Sequence, residues 1–408
     1  MIIIIQLMHP TSTRTPARMN EDTIVRIELT EVAIPFKKEV QEVMQGSGNG
    51  LGMAIPAEEP WLGGDFVICR LFSASGKAGM SEAFVWLPES GVSPRGIVET
   101  IQDDMAPFVL GESAFNTERL MTRLNNNVAR NEIAKGLLDS ACFELKAHLV
   151  GRSVADLLGG AQIRELPLAA LVPLHNDTAT MVFLAKYWHE QGSRTIRVKL
   201  GENIERDVEI MGAMREALGN EVRLRVDYNQ AYSTWDAIAA VNAIERFRIE
   251  VAEQPAKASN YLAMAEVQKR VNVPLMAHEG CFSLDEIHQL HALGAIGAIG
   301  INGERPGGLS AAVRAIHFAE QNGLGVVLHN QPTGLGSVWQ AHLGAAFHPS
   351  LHYDMELFGH VMLEHDLLKA PLNYSGATLT LPEGAGWGVE LDIDALDRYS
   401  VRPTTVIE

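Results

Sequence analysis

The chain is short of cysteine, of basic residues and of long apolar runs, and each shortage removes a class of protein. Three cysteines in 408 residues, Cys69, Cys142 and Cys281, are too few and too scattered for a disulfide framework. They fit a reducing, cytoplasmic setting. Lysine and arginine total 33 against 50 aspartates and glutamates, for a formal net charge of -17. So acidic a chain is a poor partner for nucleic acid or for an anionic membrane surface. No run approaches the roughly 20 apolar residues of a membrane span. The opening MIIIIQLMHP is apolar but brief and has no basic residue before it. It lacks the form of a secretory signal, so residues 1–23 are expected to be a disordered or extended tail.

What is present is an ordinary soluble balance of 47% hydrophobic and 20% charged residues. The length suits a barrel of ~250 residues plus a second domain. Residues 24–36 alternate like a strand, and 65–73 and 80–87 pair across the turn SASGKAG. Between them lies a glycine-rich stretch, 38–64, with no clear period and with Met44, Leu51, Met53, Ile55 and Trp61 among its apolar side chains. It is expected to be a mobile lid loop. Residues 95–158 carry apolar residues at helical spacing, so 24–160 reads as an α+β capping domain.

From about 166 the pattern changes. Eight strand-like runs (LPLAALVPL, TIRVKL, EVRLRVD, RIEVAE, VPLMAHE, AIGAIGI, GVVLHN and LHYDME) alternate with amphipathic helices that often stop at glycine. This predicts a TIM-type parallel (β/α) barrel over 161–375. The turn-rich segment 376–408 is expected to pack back on the capping domain.

Three successive runs end in acids, Asp227, Glu253 and Glu279, at steps of 26 residues. That step is about one strand, one helix and two loops, so the three carboxylates end at one height, the catalytic face of such a barrel. Three hard oxygen donors suit Mg²⁺. On the strand before, Arg197 and Lys199 share one side by alternation. Lys199, beside a metal and another cation, would have a depressed pKa and could act as a general base; otherwise it is a salt-bridged barrel lysine. Asn302 and His329 end the sixth and seventh strands at similar steps, the second as an acid, a base or a structural histidine. The eighth strand offers Asp354 and Glu356 on one side, with Glu356 chosen for the site over a structural ion pair.

These motifs together resemble the mandelate racemase and muconate lactonizing enzyme branch of the enolase superfamily, over about residues 24–400. The resemblance is carried by ACFELKAHLVGRSVADLLGG, Arg197-Val198-Lys199, VDYNQ at 226–230, Glu253-Gln254-Pro255, Glu279, Gly307-Gly308 and ELFG at 356–359. It implies Mg²⁺-assisted removal of a proton α to a carboxylate, with Asp227, Glu253 and Glu279 as ligands, Lys199 as base and a homo-oligomeric state. It also exposes two departures. Asn302 stands where one branch has an aspartate and the other a lysine, so neither second base is intact and His329 is expected to lack its carboxylate partner. Arg197 replaces the first lysine and suits a bidentate grip on a substrate carboxylate.

One-base chemistry follows: an isomerase of the cycloisomerase type, or alternatively a dehydratase in which His329 protonates a leaving hydroxyl. An apolar lid favours a small or partly apolar carboxylate substrate over a sugar acid. A binding protein that has lost catalysis is the rival from another class. A metal hydrolase would want histidine ligands.

Overall fold

The computed structural model describes residues 20–45, 61–303 and 305–408. Three strands, β1 (Ile24–Pro35), β2 (Gly63–Ser73) and β3 (Ala78–Val85), form an antiparallel meander in the order 1-2-3. The long helix Glu132–Val150 lies across β2 and β3 and buries most of its residues. Gly79 permits that approach, since a Cβ there would stand 2.2 Å from the carbonyl of Ala141. Gly151, at φ 67°, ends the helix in the left-handed conformation that glycine adopts without cost. Ile27, Leu29, Val67, Leu71, Leu138 and Leu145 belong to the core of this unit, separate from the barrel's.

The short β4 (Glu165–Pro167) leads into β5 (Ala170–Val172), β6 (Thr195–Lys199), β7 (Arg223–Asp227), β8 (Ile249–Glu253), β9 (Leu275–Ala277), β10 (Ala298–Ile301), β11 (Gly325–Asn330) and β12 (Glu356–Leu357). These eight strands form one parallel sheet in chain order. A single parallel bridge, Leu168 to Met355, joins its two edges and closes the barrel. The eighth strand is shorter than the run LHYDME predicts, and only a four-residue helix, Gly359–Met362, follows it. The hairpin β13 (Tyr374–Ser375) and β14 (Thr378–Thr380) pairs with β4, and β15 (Thr405–Ile407) adds to the edge of the first sheet beside β1.

Among the described residues seven α-helices connect the eight strands, and six begin with a capping side chain: Asp177, Asn203, Ser233, Asn260, Ser283 and Thr333. These satisfy backbone donors at the catalytic end of the barrel. The seventh, Leu309–Asn322, starts at Gly308 and has no side-chain cap of its own. Asp139, from the long helix of the first unit, takes its place by accepting from Ser310 N at 2.9 Å and Ser310 Oγ at 2.6 Å. Glu82 of β3 does the same at the helix Gly334–Phe347, accepting from Thr333 N at 2.8 Å and Gly336 N at 3.2 Å. Two buried carboxylates of the first unit thus dock into two neighbouring barrel helices.

Inside the barrel, Val251, Met276, Ala298 and Val327 make a small apolar floor with Tyr353 against it. Above it the interior is charged. Among the described residues, no helix is long and apolar enough to cross a membrane.

Candidate active site

Register places three predicted residues side by side, for Lys199 pairs with Asp227 and Asp227 with Glu253 at the C-terminal ends of β6, β7 and β8. Lys199 Nζ donates to Asp227 Oδ2, and to Asn229 Oδ1 at 2.6 Å. Asn229, the asparagine of VDYNQ, also gives its backbone N–H to Asp227 Oδ1 at 2.9 Å and its amide to Glu279 Oε1 at 3.1 Å. It holds a φ of 43°, which asparagine tolerates better than most residues. Glu279 lies beyond β9 in a loop held by Gln254, whose Oε1 accepts from His278 N and Gly280 N.

Arg197 is engaged by the acidic cluster itself. Its guanidinium grips Glu253 through two bonds of 2.8 and 2.6 Å, donates to Asp227 and lies 3.3 Å from Glu356. These contacts clamp the acidic cluster and leave Nη1 buried without a hydrogen-bond partner. A second buried arginine, Arg225, binds the far oxygen of Glu356 at 3.0 Å. His329 departs from expectation. Its Nδ1 lies 3.0 Å from Glu356 Oε2, so it does have a carboxylate partner, contributed by β12. The pair is in ion-pair range but off the line of a good hydrogen bond. Asn302 turns to its own loop, with Oδ1 accepting from Arg305 N at 2.9 Å. Asp354 sits lower in the barrel, on Thr195 and Arg223.

Burial sets the protonation states, and neighbouring charges modify them. Burial pushes Glu279 up to about 7, with Asp227 and Glu89 adding repulsion. It raises Glu253 well above the carboxylate range; Arg197 pulls the other way and Asp227 and Glu356 push further up. For Asp227 burial is outweighed by Arg197 and Lys199, and for Glu356 by Arg197, His329 and Arg225, so both lie below their ordinary values. Burial and Arg197 hold His329 below the usual histidine value despite Glu356.

Sequence reasoning missed His278. It shares interior-facing parity with Met276, a signal that was there to use, and its ring meets His329 edge to face at 4.4 Å. Glu253, His278 and Glu279 bring one ligand atom each within 4.8 Å of one another, while Asp227 is tied into the cluster through Arg197 and Asn229. The residues fit a hard dication. Glu279 Oε2 is buried without a hydrogen-bond partner, and burial, with like charge added, raises Glu253 and Glu279 toward a protonated form whose protons a cation would displace.

Two cavities meet here. A small polar one is lined by Arg197, Asn229, His278 and His329, with Trp86 and Glu89 of the first unit above. A larger one of about 440 Å³ is lined by Val40, Val43, Trp61, Leu184, Trp188 and Phe358. Lys199 and Gln331 border both. Trp61 is buried and stacks on Trp86 at 5.2 Å. Leu51, Met53, Ile55 and the side chain of Met44 lie outside the described residues, as do residues 1–19.

This architecture has known counterparts. The chain matches the mandelate racemase / muconate lactonizing enzyme N-terminal domain over residues 63–159 and the enolase C-terminal domain-like family over residues 180–395. It belongs to the enolase superfamily, in the mandelate racemase and muconate lactonizing enzyme family. Muconate cycloisomerase 1-1 of Acinetobacter lwoffii is 28% identical over 346 residues, covering 83% of this chain and 89% of that one. N-succinyl-L-Arg/Lys racemase of Bacillus cereus is 26% identical over 337 residues, covering 82% and 90%. The muconate lactonizing enzyme from Pseudomonas putida superposes with a TM-score of 0.83 at 26% identity over 93% of this chain and 99% of that one. With such relatives the chain is an enzyme of isomerase type.

Proposed function

We propose that this enzyme moves the proton α to the carboxylate of a small, partly apolar acid, using Lys199 as its single base. The observation that carries this is the position of Lys199 at the junction of the acidic cluster and the apolar cavity. Asp227, Glu253 and Glu279 would hold Mg²⁺. That ion, when bound, supplies positive charge for the oxygens of the enolate.

The rest is assigned to the protein's own groups. The substrate carboxylate turns toward the acidic cluster and its apolar body fills the larger cavity, where unpaired hydroxyls would be costly. Lys199 Nζ takes the α-proton and, in an isomerization with a single proton-carrying group, returns it. Asn229 orients that amine through the 2.6 Å contact. Two-base racemization is disfavoured because Asn302 offers no titratable group. Dehydration with His329 as the acid is disfavoured because burial and Arg197 weaken the ring's hold on the proton it would have to carry. The domain arrangement read from the sequence fits the same proposal, with residues 24–160 capping the mouth and a Mg²⁺ site in the barrel.

Proton NMR in D₂O with Mg²⁺ and a panel of small carboxylates (amino-acid derivatives, muconates, hydroxy acids) tests this. Solvent deuterium should enter an α-position or appear in an isomerized product. In Lys199→Ala the rate should fall by about 10²- to 10⁴-fold. Equal exchange in the variant would remove Lys199 as the base. No exchange on any compound, with Mg²⁺ bound, would favour a binding protein.

A further inference from the structure

Asn302, His278 and Arg305 have no part in the chemistry proposed above, yet all three are buried at the site. Arg305 Nη2 lies 2.8 Å from His278 Nε2. A guanidinium carries only donors, so Nε2 must be the accepting nitrogen. A proton on Nε2 would set donor against donor. The remaining ring proton therefore sits on Nδ1, which lies 3.2 Å from Glu253 Oε1. The other acidic oxygens near Nδ1 are farther, Glu89 Oε1 at 3.5 Å and Glu279 Oε2 at 3.9 Å.

Arg305 is itself held on several sides. Its Nη1 donates to Glu89 Oε1 at 2.8 Å, and its guanidinium lies over the Phe282 ring at 4.4 Å. Asn302 fixes its backbone, with Oδ1 accepting from Arg305 N at 2.9 Å and its own N–H donating to Arg305 O at 3.2 Å. Asn302 thus has work that a longer acid or base at its position would not perform.

We infer that His278 is not a metal ligand but a positioning residue. Arg305 locks it as the Nδ1–H tautomer, and through it Glu89 and Asn302 orient the carboxylate of Glu253. To ligate through Nδ1, His278 would have to move its proton to Nε2 against the arginine. To ligate through Nε2, it would have to expel Arg305. An Nδ1–H held 3.2 Å from Glu253 Oε1 sets a partial positive charge beside that oxygen, off the line of a good hydrogen bond but close enough to bias its orientation, as outer polar groups do for the ligands of metal sites generally. Glu89 belongs to the first unit and Glu253 to the barrel, so the relay crosses between them.

The inference rests on the reading of Glu253 as a ligand, and the test separates the two. The full chain with ¹⁵N-labelled histidine is studied by NMR without metal, and the His278 signal is identified by its loss in His278→Asn. The ring should show a protonated Nδ1 and a bare Nε2, and Arg305→Met should release that preference. Calorimetric Mg²⁺ titration should show binding about 10- to 100-fold weaker in Arg305→Met, most of it recovered in Arg305→Lys, with His278→Asn, which keeps a donor, within about tenfold of wild type. An Nε2–H ring in the wild type, or wild-type Mg²⁺ affinity in Arg305→Met, overturns the inference. A wild-type chain that binds no Mg²⁺ overturns the ligand reading and the purpose of the relay with it; an Nδ1–H ring in that sample would leave only the arginine contact standing.

Discussion

Glu82 offers the sharpest test of how the first unit is fastened over the site. It is buried on β3, four residues before Trp86 and seven before Glu89, both of which line the polar cavity. One oxygen accepts from Thr333 N, and the other from the Thr333 hydroxyl and from Gly336 N. Gly336 makes room, since a Cβ there would stand 2.7 Å from Glu82 Oε1. Burial pushes the carboxyl up to about 7; the donors on Thr333 and Gly336 pull it down without prevailing, and Asp366 adds repulsion. Below that pH, a protonated Glu82 can give its hydrogen to the Thr333 hydroxyl and still accept from Gly336 N on the same oxygen. The amide nitrogen of Glu82→Gln cannot accept, so one backbone donor is stranded, at a cost of about 1–3 kcal/mol.

The sign with pH then follows. A folded value of about 7 against an ordinary 4.5 means the native state holds the proton that the unfolded chain releases. Wild type therefore loses stability between pH 4.5 and 7, on the order of 3 kcal/mol, and the glutamine variant does not. Urea denaturation of both proteins at pH 5, 6, 7 and 8 should show the variant weaker at pH 5, with the deficit shrinking or reversing by pH 8. Other raised carboxyls such as Asp139 and Glu279 are common to both proteins and cancel in the difference. A deficit that grows as pH rises would refute the reasoning, because it would mean the three donors, and not burial, govern Glu82.

Three further outcomes are expected. Mg²⁺ affinity should rise with pH from 5.5 through 7, because Glu279 and Glu253 must both lose protons to ligate, and calorimetry in two buffers should detect the release of those protons. Arg197→Met should destabilise the metal-free protein by about 3–5 kcal/mol in denaturant titrations, because it leaves Glu253, Asp227 and Glu356 facing one another in the dry interior. Gly303→Ala should cost about 1–3 kcal/mol and disturb the loop that carries Arg305, because a Cβ there falls 1.9 Å from the Trp339 ring; an unchanged melting temperature would count against this packing.

The repeating step in the sequence located the strand ends of β7 and β8, and with them Asp227 and Glu253, while alternation on the strand before supplied Lys199. Alternation is a property of extended chain, and it failed where the strand stopped. β9 ends at Ala277, so Glu279 reaches the site against the parity that His278 keeps with Met276, and the acidic residue drew attention away from its neighbour. The partnership of His329 with Glu356 was illegible because it is set by the register of two strands 27 residues apart in sequence. The carboxylate contacts of Arg197 were illegible for a related reason. Sequence shows that a cation is present, but not how many carboxylates converge on it. The docking of Glu82 and Asp139 into barrel helices depends on contacts more than 170 residues apart, which no local pattern encodes.

β15 lies beside β1, so Ile407 faces Ile27 across some 380 residues of chain. The whole barrel is thus threaded between two neighbouring strands of one sheet. A ribosome making this protein emits β1, β2 and β3 early, yet their edge stays open until residues 405–407 emerge. A chain stalled midway would carry that bare edge through the slow assembly of a parallel barrel, when unpaired strands are most prone to associate with the wrong partner. Pairing of residues 405–407 with β1 therefore covers an edge that the earlier part of the chain leaves bare.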